Sequence, residues 1–405
     1  MRTRVGSFPA SSSFGIELGR GHSPTDNALT RPDDRTATGR AKDWLPVLNA
    51  YRGGDGALAA REILVTALPF VLLWIAAWAS LKVSVLLSLV FAVPAAGFLV
   101  RLFMIQHDCG HGAFFAERAM NDWTGRIISV LTLTPYDAWA HSHGVHHASA
   151  GNLDRRGIGD ITTLTVSEYL AKSPLQRLGY RLYRNPVVMF GIGPAFVFLL
   201  RNRLPMDGTL LRWQSWMSPV LTTLVVILVA APIVWLIGLG PFLMVHVPIV
   251  LMASSIGVWL FYVQHQYEGT EWARGADWSV HEAALHGSSH YDLPPVLRWI
   301  TANIGVHHVH HMCSRIPFYR LGRVMKDHPE LADVGRVRLW QSFSFARLAL
   351  WDEASRRLIS FREADAAVAN QNGSGGCALG AGLSTAWIEA RPGLAIGVGG
   401  RPVCR

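Results

Sequence analysis

Gly97-Phe-Leu-Val-Arg-Leu-Phe-Met-Ile-Gln-His107-Asp-Cys-Gly-His111 joins the end of a long apolar run to two histidines four residues apart. Two more clusters repeat the theme, His143-Gly-Val-His146-His147 and His307-His-Val-His310-His311. Residues three and four apart share a helix face, so each cluster aims its imidazoles in one direction as a metal claw. Imidazole suits zinc, copper, iron and nickel, and one ion takes only about four to six ligands. Eight converging histidines therefore imply two metals, provided the clusters meet. Any one such pair, taken alone, reads as a solvated helix face. Three groups beside apolar runs do not.

Half of the 405 residues are hydrophobic and 16% are charged, and the mean hydropathy is +0.24. That balance points to a membrane. A net charge of +9 invites a nucleic-acid reading, but no basic stripe interleaved with aromatics and no nucleic-acid motif is present. Lys and Arg flanking membrane segments account for the charge more simply. Cys109 and Cys313 sit in or just after two histidine clusters, with Cys377 and Cys404 in the tail. No disulfide framework is implied, which fits a reducing compartment.

Four apolar stretches are long enough to cross a bilayer: Ile63 to Ser80, Val83 to Ile105, Trp216 to Leu239 and Phe242 to Val263. They pair as two hairpins, turning at Leu81-Lys82 and at Gly240-Pro241. Nearly all Lys and Arg lie beyond the other ends, which the positive-inside rule makes the cytoplasmic side. Both termini and all three clusters then face the cytoplasm. Val187 to Leu200 is apolar but only fourteen residues long and carries Gly191, Gly193 and Pro194. It is read as interfacial or re-entrant, as is Ile127 to Leu133, since a further crossing would separate the second and third clusters.

The expected fold is all-α: a two-hairpin, four-helix membrane domain over residues 43–365, with a polar region after the fourth run and the histidine clusters on its cytoplasmic side. Residues 1–42 read as a disordered arm without the apolar core of a signal peptide, and 366–405 as a Gly-rich disordered tail. Asp43 to Glu62 reads as a soluble lead-in along the membrane surface. Leu339 to Phe361, with Trp340, Phe343, Leu350, Trp351 and Leu358, reads as an amphipathic surface helix. A lone His265 follows the fourth run, and on the residues alone it is open whether it is interfacial or a ninth ligand.

The HxxxH, HxxHH and HxxHH set, placed after the second and fourth runs, resembles that of the membrane fatty acid desaturases. The likeness extends beyond the boxes. Trp139 to Asp160, Gln264-His-Gln, Gly287-Ser-Ser-His-Tyr-Asp-Leu-Pro294 and above all Asn303 to Leu321 look like the bacterial acyl-lipid (omega-6, Δ12-like) branch. It covers about residues 43–362. The resemblance implies a cytoplasmic helical cap carrying a histidine-rich dimetal site, and two irons held there by His107, His111, His143, His146, His147, His307, His310 and His311, with His265 as an isolated extra ligand. It implies O2 as co-substrate, a membrane-lipid acyl chain as substrate and electrons from a separate ferredoxin-like or cytochrome-type protein. His328-Pro-Glu is no haem-binding motif. The acyl-CoA branch places an Asn one turn before the isolated histidine; here Phe261 stands there, which weakens the match to that branch.

Ligand sets without carboxylates need nearby acids to orient the rings. Asp108, Asp154, Asp160, Glu268 and Asp292 are the candidates, although each alone reads as a cap or salt-bridge partner. His141 and His308 point off the ligand faces. A carotenoid or alkane hydroxylase or ketolase shares the metal chemistry and is the nearest rival. A metal transporter is the rival from another class, but transporters usually bind near the bilayer midplane, whereas these clusters lie past the run ends.

Overall fold

The computed structural model describes residues 39–205 and 213–374. The expected arm up to residue 38, and the tail beyond 374, lie outside the described residues; the last residues of the arm instead lead into a single 3-10 turn, Ala41–Asp43, with Ala41 buried. Residues 366–374 continue a helix, Phe361–Ser374.

Among the described residues four helices are long and apolar enough to cross a membrane. Helix α1, Gly56–Ser80, starts seven residues before the apolar run because the Asp55 carboxylate accepts from the Ala57 and Leu58 amides. Helix α2, Val85–Gly110, begins at a Ser84 cap and runs unbroken into the first histidine cluster. Arg101 on α2 and Glu62 on α1, both buried, pair at 2.5 Å. The Arg101 guanidinium also lies 4.1 Å above the Trp299 ring. A buried charge this deep needs such partners, so the pair fixes the α1–α2 hairpin against the cap.

Helices α3, Arg118–Thr132, and α4, Tyr136–Ser149, follow, joined at a left-handed Leu133. Ile127 on α3 is exposed while Ile128 is buried, which suits an interfacial helix. Helix α5, Pro174–Tyr183, is bent by 58° against the helical segment 188–203, so no straight helix crosses there.

The second membrane hairpin is α6, Trp213–Ile237, and α7, Leu239–His265. Its turn falls at Gly238, with φ at 89°, and not at Gly240-Pro241. Glycine alone takes that φ freely, and proline is at home in a helix's first turn, where its missing N–H is not needed.

The cap carries α8, Val280–His286, α9, His307–Met312, and α10, Phe318–Asp327. The lead-in, expected along the membrane surface, docks on this cap: the Tyr51 hydroxyl donates to Asp327 at 2.9 Å. Short strands also pair. Strand β1, Leu164–Thr165, runs parallel to β4, Leu348–Asp352, which is antiparallel to β5, Arg357–Ser360. Strand β2, His290–Asp292, pairs in parallel with β3, Arg336–Arg338. The expected helix over Leu339 to Phe361 is thus corrected to a short helix, Leu339–Phe345, and a β-hairpin. Trp351 and Leu358 face each other across it and both are buried. Their seven-residue spacing suits two helical turns as well as it suits this pairing.

Candidate metal centre

Nine histidines converge from four helices. His107 comes from the last turn of α2 and His111 caps it, while His265 ends α7. His143, His146 and His147 lie on α4, and His307, His310 and His311 on α9. Their ring nitrogens fall into two sets, each gathered within 4.8 Å. One holds His107, His111, His143, His147 and His310, the other His146, His265, His307 and His311. The clusters are therefore not three separate claws, because both HxxHH boxes are divided between the sets.

Within the first set, the Nε2 atoms of His107 and His143 are 3.0 Å apart, those of His143 and His147 3.1 Å, and those of His147 and His310 3.2 Å. Within the second, His265 Nε2 is 3.0 Å from both His146 Nε2 and His307 Nε2. Outer contacts fix which nitrogen faces inward. His107 Nδ1 donates to Asp108 at 3.1 Å, His146 Nδ1 to Asp160 at 2.5 Å and His265 Nδ1 to the Gly287 carbonyl at 3.3 Å. With the proton on Nδ1, each inner Nε2 presents a lone pair to other lone pairs. Such convergence is unfavourable unless a cation sits among them. The Nε2 atoms of His111 and His311 are likewise buried without a protein partner.

Burial first, then the neighbouring imidazoles, pushes His111, His143, His147, His307, His310 and His311 well below the usual histidine value of 6.5. They stay neutral, the form that binds metal. Spacing also bears on the ion. Ligands with bonds of about 2.1 Å lie about 3.0 Å apart at right angles and about 3.4 Å apart in a tetrahedron. The 3.0–3.2 Å contacts lie near the right-angle spacing; five nitrogens exceed a tetrahedral ion's needs in the first set, and four match them in the second.

Of the five acids, two touch the rings. Asp108 holds His107 and also accepts from the Phe318 amide at 2.6 Å. Asp160 reaches His146 because Gly159, at φ +76°, lets the loop press on α4. A Cβ there would lie 2.7 Å from the Ser142 carbonyl oxygen. The other three are corrected: Asp154 pairs with Arg274, Asp292 with Arg298 and Arg336, and Glu268 is exposed and bonds to no histidine among the described residues. Off the sets, His141 is exposed, and His308 donates to the Leu331 carbonyl at 3.0 Å. Burial, then His290, pushes His308 down to about 3.

A cavity of about 240 Å³ runs from His107, His143 and His307 into the membrane half. Its deeper wall is apolar, with Leu99, Phe103, Val250, Ala253 and Gly257 among its residues. Phe261 also lines it and lies 5.0 Å from the His146 ring, between centroids. Sequence reasoning missed Gly287, whose backbone oxygen orients His265 and leaves no side-chain signal.

The fatty acid desaturase family model matches residues 83–343. A fatty acid desaturase of Bacillus subtilis (strain 168) is 46% identical over 329 residues, covering 81% of this chain and 93% of that protein. The chain belongs to the fatty acid desaturase family. More distant relatives come from a Synechocystis strain. An sn-1 acyl-lipid omega-3 desaturase (ferredoxin) is 29% identical over 60% of this chain and 68% of its own length. An sn-1 oleoyl-lipid 12-desaturase is 27% identical over 62% and 69%. As a desaturase the chain is an oxidoreductase and a membrane protein, and its histidine sets are suited to a pair of metal ions.

Proposed function

We propose that the chain desaturates the acyl chain of a membrane lipid, inserting a cis double bond with O2 at a centre of two irons. His107, His111, His143, His147 and His310 would hold one ion, and His146, His265, His307 and His311 the other. The observation that carries this reading is the placement of both sets at the head of an apolar cavity. An unactivated C–H bond yields to no side-chain base, so the bound irons and O2 supply the oxidising power. Two hydrogens from the chain, two protons, two electrons and one O2 balance as a double bond and two waters.

The protein's own residues position and shield. Leu99, Phe103, Val250 and Phe261 form apolar wall around the chain and exclude bulk water, which leaves adjacent methylenes fixed against the histidine end. Asp108, Asp160 and the Gly287 carbonyl keep the protons on Nδ1 and the Nε2 atoms free for metal. Electrons come from a separate protein. The ferredoxin-linked Synechocystis relative supports a ferredoxin-like donor over a cytochrome-type one, and both Synechocystis relatives, named as acyl-lipid and oleoyl-lipid desaturases, support an acyl-lipid substrate.

We place the centre and both termini on the cytoplasmic side of a bacterial inner membrane, with one domain over residues 43–365. Parity of the crossings supports a single face. His147 and His310 are 4.9 Å apart between ring centroids, so the chain between them crosses an even number of times. Helices α6 and α7 supply two crossings, which leaves none for the bent segment 188–203.

The test is expression in a host of known lipid profile, with gas chromatography of fatty acid methyl esters and double-bond location. A new cis unsaturation is expected, lost in His146→Ala and His310→Ala along with bound iron. Metal-dependent transport in proteoliposomes with unchanged lipids would instead favour a transporter.

A further inference from the structure

Helices α2 and α7 both run toward the histidines, so position along them measures depth in the cavity. Gly257 lies eight residues before His265, about 12 Å down the helix, whereas Ala253 lies about 18 Å and Val250 about 22 Å down. Against a hydrocarbon core of about 30 Å, the cavity reaches past the bilayer middle. All three residues line it.

Gly257 is unusual among them. A Cβ built there meets no protein atom within 4 Å, so neither close packing nor backbone conformation requires glycine. Its lack of a side chain leaves the cavity continuous from the histidine chamber to the lower part walled by Val250 and Ala253. Leu99 and Val100 on α2 stand at the same depth, eight and seven residues before His107, and narrow the passage from the other helix.

Resting on the desaturase reading above, we propose that Gly257 determines substrate specificity. The open space at this position sets how much acyl chain fits beyond the reacting carbons, and Ala253 sets a second, deeper limit. A side chain at Gly257 occupies room that the methyl end of a long chain needs, and one at Ala253 removes only the last part. The substrate class is a saturated acyl chain long enough to pass Gly257.

The experiment gives membranes carrying wild type, Gly257→Leu, Gly257→Phe or Ala253→Leu phospholipids whose saturated chains differ by two carbons. Conversion and double-bond position are read by gas chromatography with mass spectrometry, and iron by elemental analysis. Burial of one methylene is worth about 10-fold or more in discrimination. Both Gly257 variants should therefore lose at least about 10-fold on the longest chain relative to the shortest, or move its double bond toward the methyl end. Ala253→Leu should act on the longest chain alone, and iron should stay at the wild-type level throughout. Wild-type chain-length and position profiles in all three variants, with iron retained, would overturn the assignment of Gly257. Wild type that desaturates no chain of any length would overturn the proposed function itself. If Gly257→Phe fails to accumulate, Gly257→Leu and Ala253→Leu carry the same comparison.

Discussion

The two histidine sets differ in how much they can lose. Five nitrogens converge in one, His107, His111, His143, His147 and His310, and four in the other, His146, His265, His307 and His311. They draw on the same two boxes in opposite ways. On a helix, positions i and i+4 lie about 40° apart, whereas i+3 falls about 60° to the other side. Helix α4 gives His143 and His147 to the larger set and His146 to the smaller. Helix α9 reverses this, giving His307 and His311 to the smaller set and His310 to the larger. Each HxxHH box would thus tie two ions together, and neither HxxHH box can be lost without damage to both sets, whereas His107 and His111 belong to the larger set alone.

The largest effect should come from stripping the poorer set. His265→Ala leaves three nitrogens for its ion and His111→Ala leaves four. We expect His265→Ala to lose one of two irons and at least about 100-fold in conversion, beyond the 10–100-fold usual for an outer contact, and His111→Ala to lose clearly less. Iron per chain and fatty acid profiles measure both, and equal losses would erase the distinction between the sets.

Acid should unfold the metal-free protein next. Six histidines across both sets are held below 6.5 by burial. Below that pH the unfolded chain binds more protons than the folded one. Their contribution to stability is therefore complete above about 6.5 and is lost as pH falls toward the depressed folded values. Chelator-stripped protein should show a melting temperature that drops steadily from neutral pH downward, and iron-loaded protein a smaller drop. A flat profile for the stripped protein would mean that the rings are not packed as tightly as the sets require.

Much of this was readable before any geometry. Unbroken apolar runs gave the four long helices, and the His107/His111 pair on the continuation of α2 gave the level of the site. Division of the boxes was not readable, because spacing places residues on a helix face without saying what stands opposite. The Asp160 contact depends on Gly159 at φ +76°, a backbone state that sequence permits at every glycine and requires at few. The hairpin of β4 and β5 hid behind a spacing common to two secondary structures, and the turn at Gly238 behind the more conspicuous Gly240-Pro241.

The two carboxylates that touch rings separate the sets again. Asp160→Asn removes the charge beside His146 in the smaller set and should weaken iron retention about 10- to 100-fold, with little change in the melting of metal-free protein. Asp108→Asn acts in the larger set, where the same carboxylate also accepts from the Phe318 amide. It should cost folding stability as well, by about 1–3 kcal/mol. Titration with iron and thermal unfolding distinguish the two, and an identical pair of effects would show that the Phe318 contact gives Asp108 no second duty.

The smallest effect belongs to Asp292. Its oxygens lie 3.1 Å from Arg298 and 2.7 Å from Arg336, and neither reaches an imidazole of either set. Partly exposed ion pairs contribute at most about 1 kcal/mol, so Asp292→Ala should shift unfolding by no more than that and leave iron and products unchanged. The result matters because Asp292 and Asp160 looked alike in sequence, each an acid close to a histidine-rich stretch. Loss of iron in Asp292→Ala would mean that charge reaches the centre through β2 and the backbone bridge from His290 to Val306. Ring contact would then no longer be the criterion that separates Asp108 and Asp160 from the other acids.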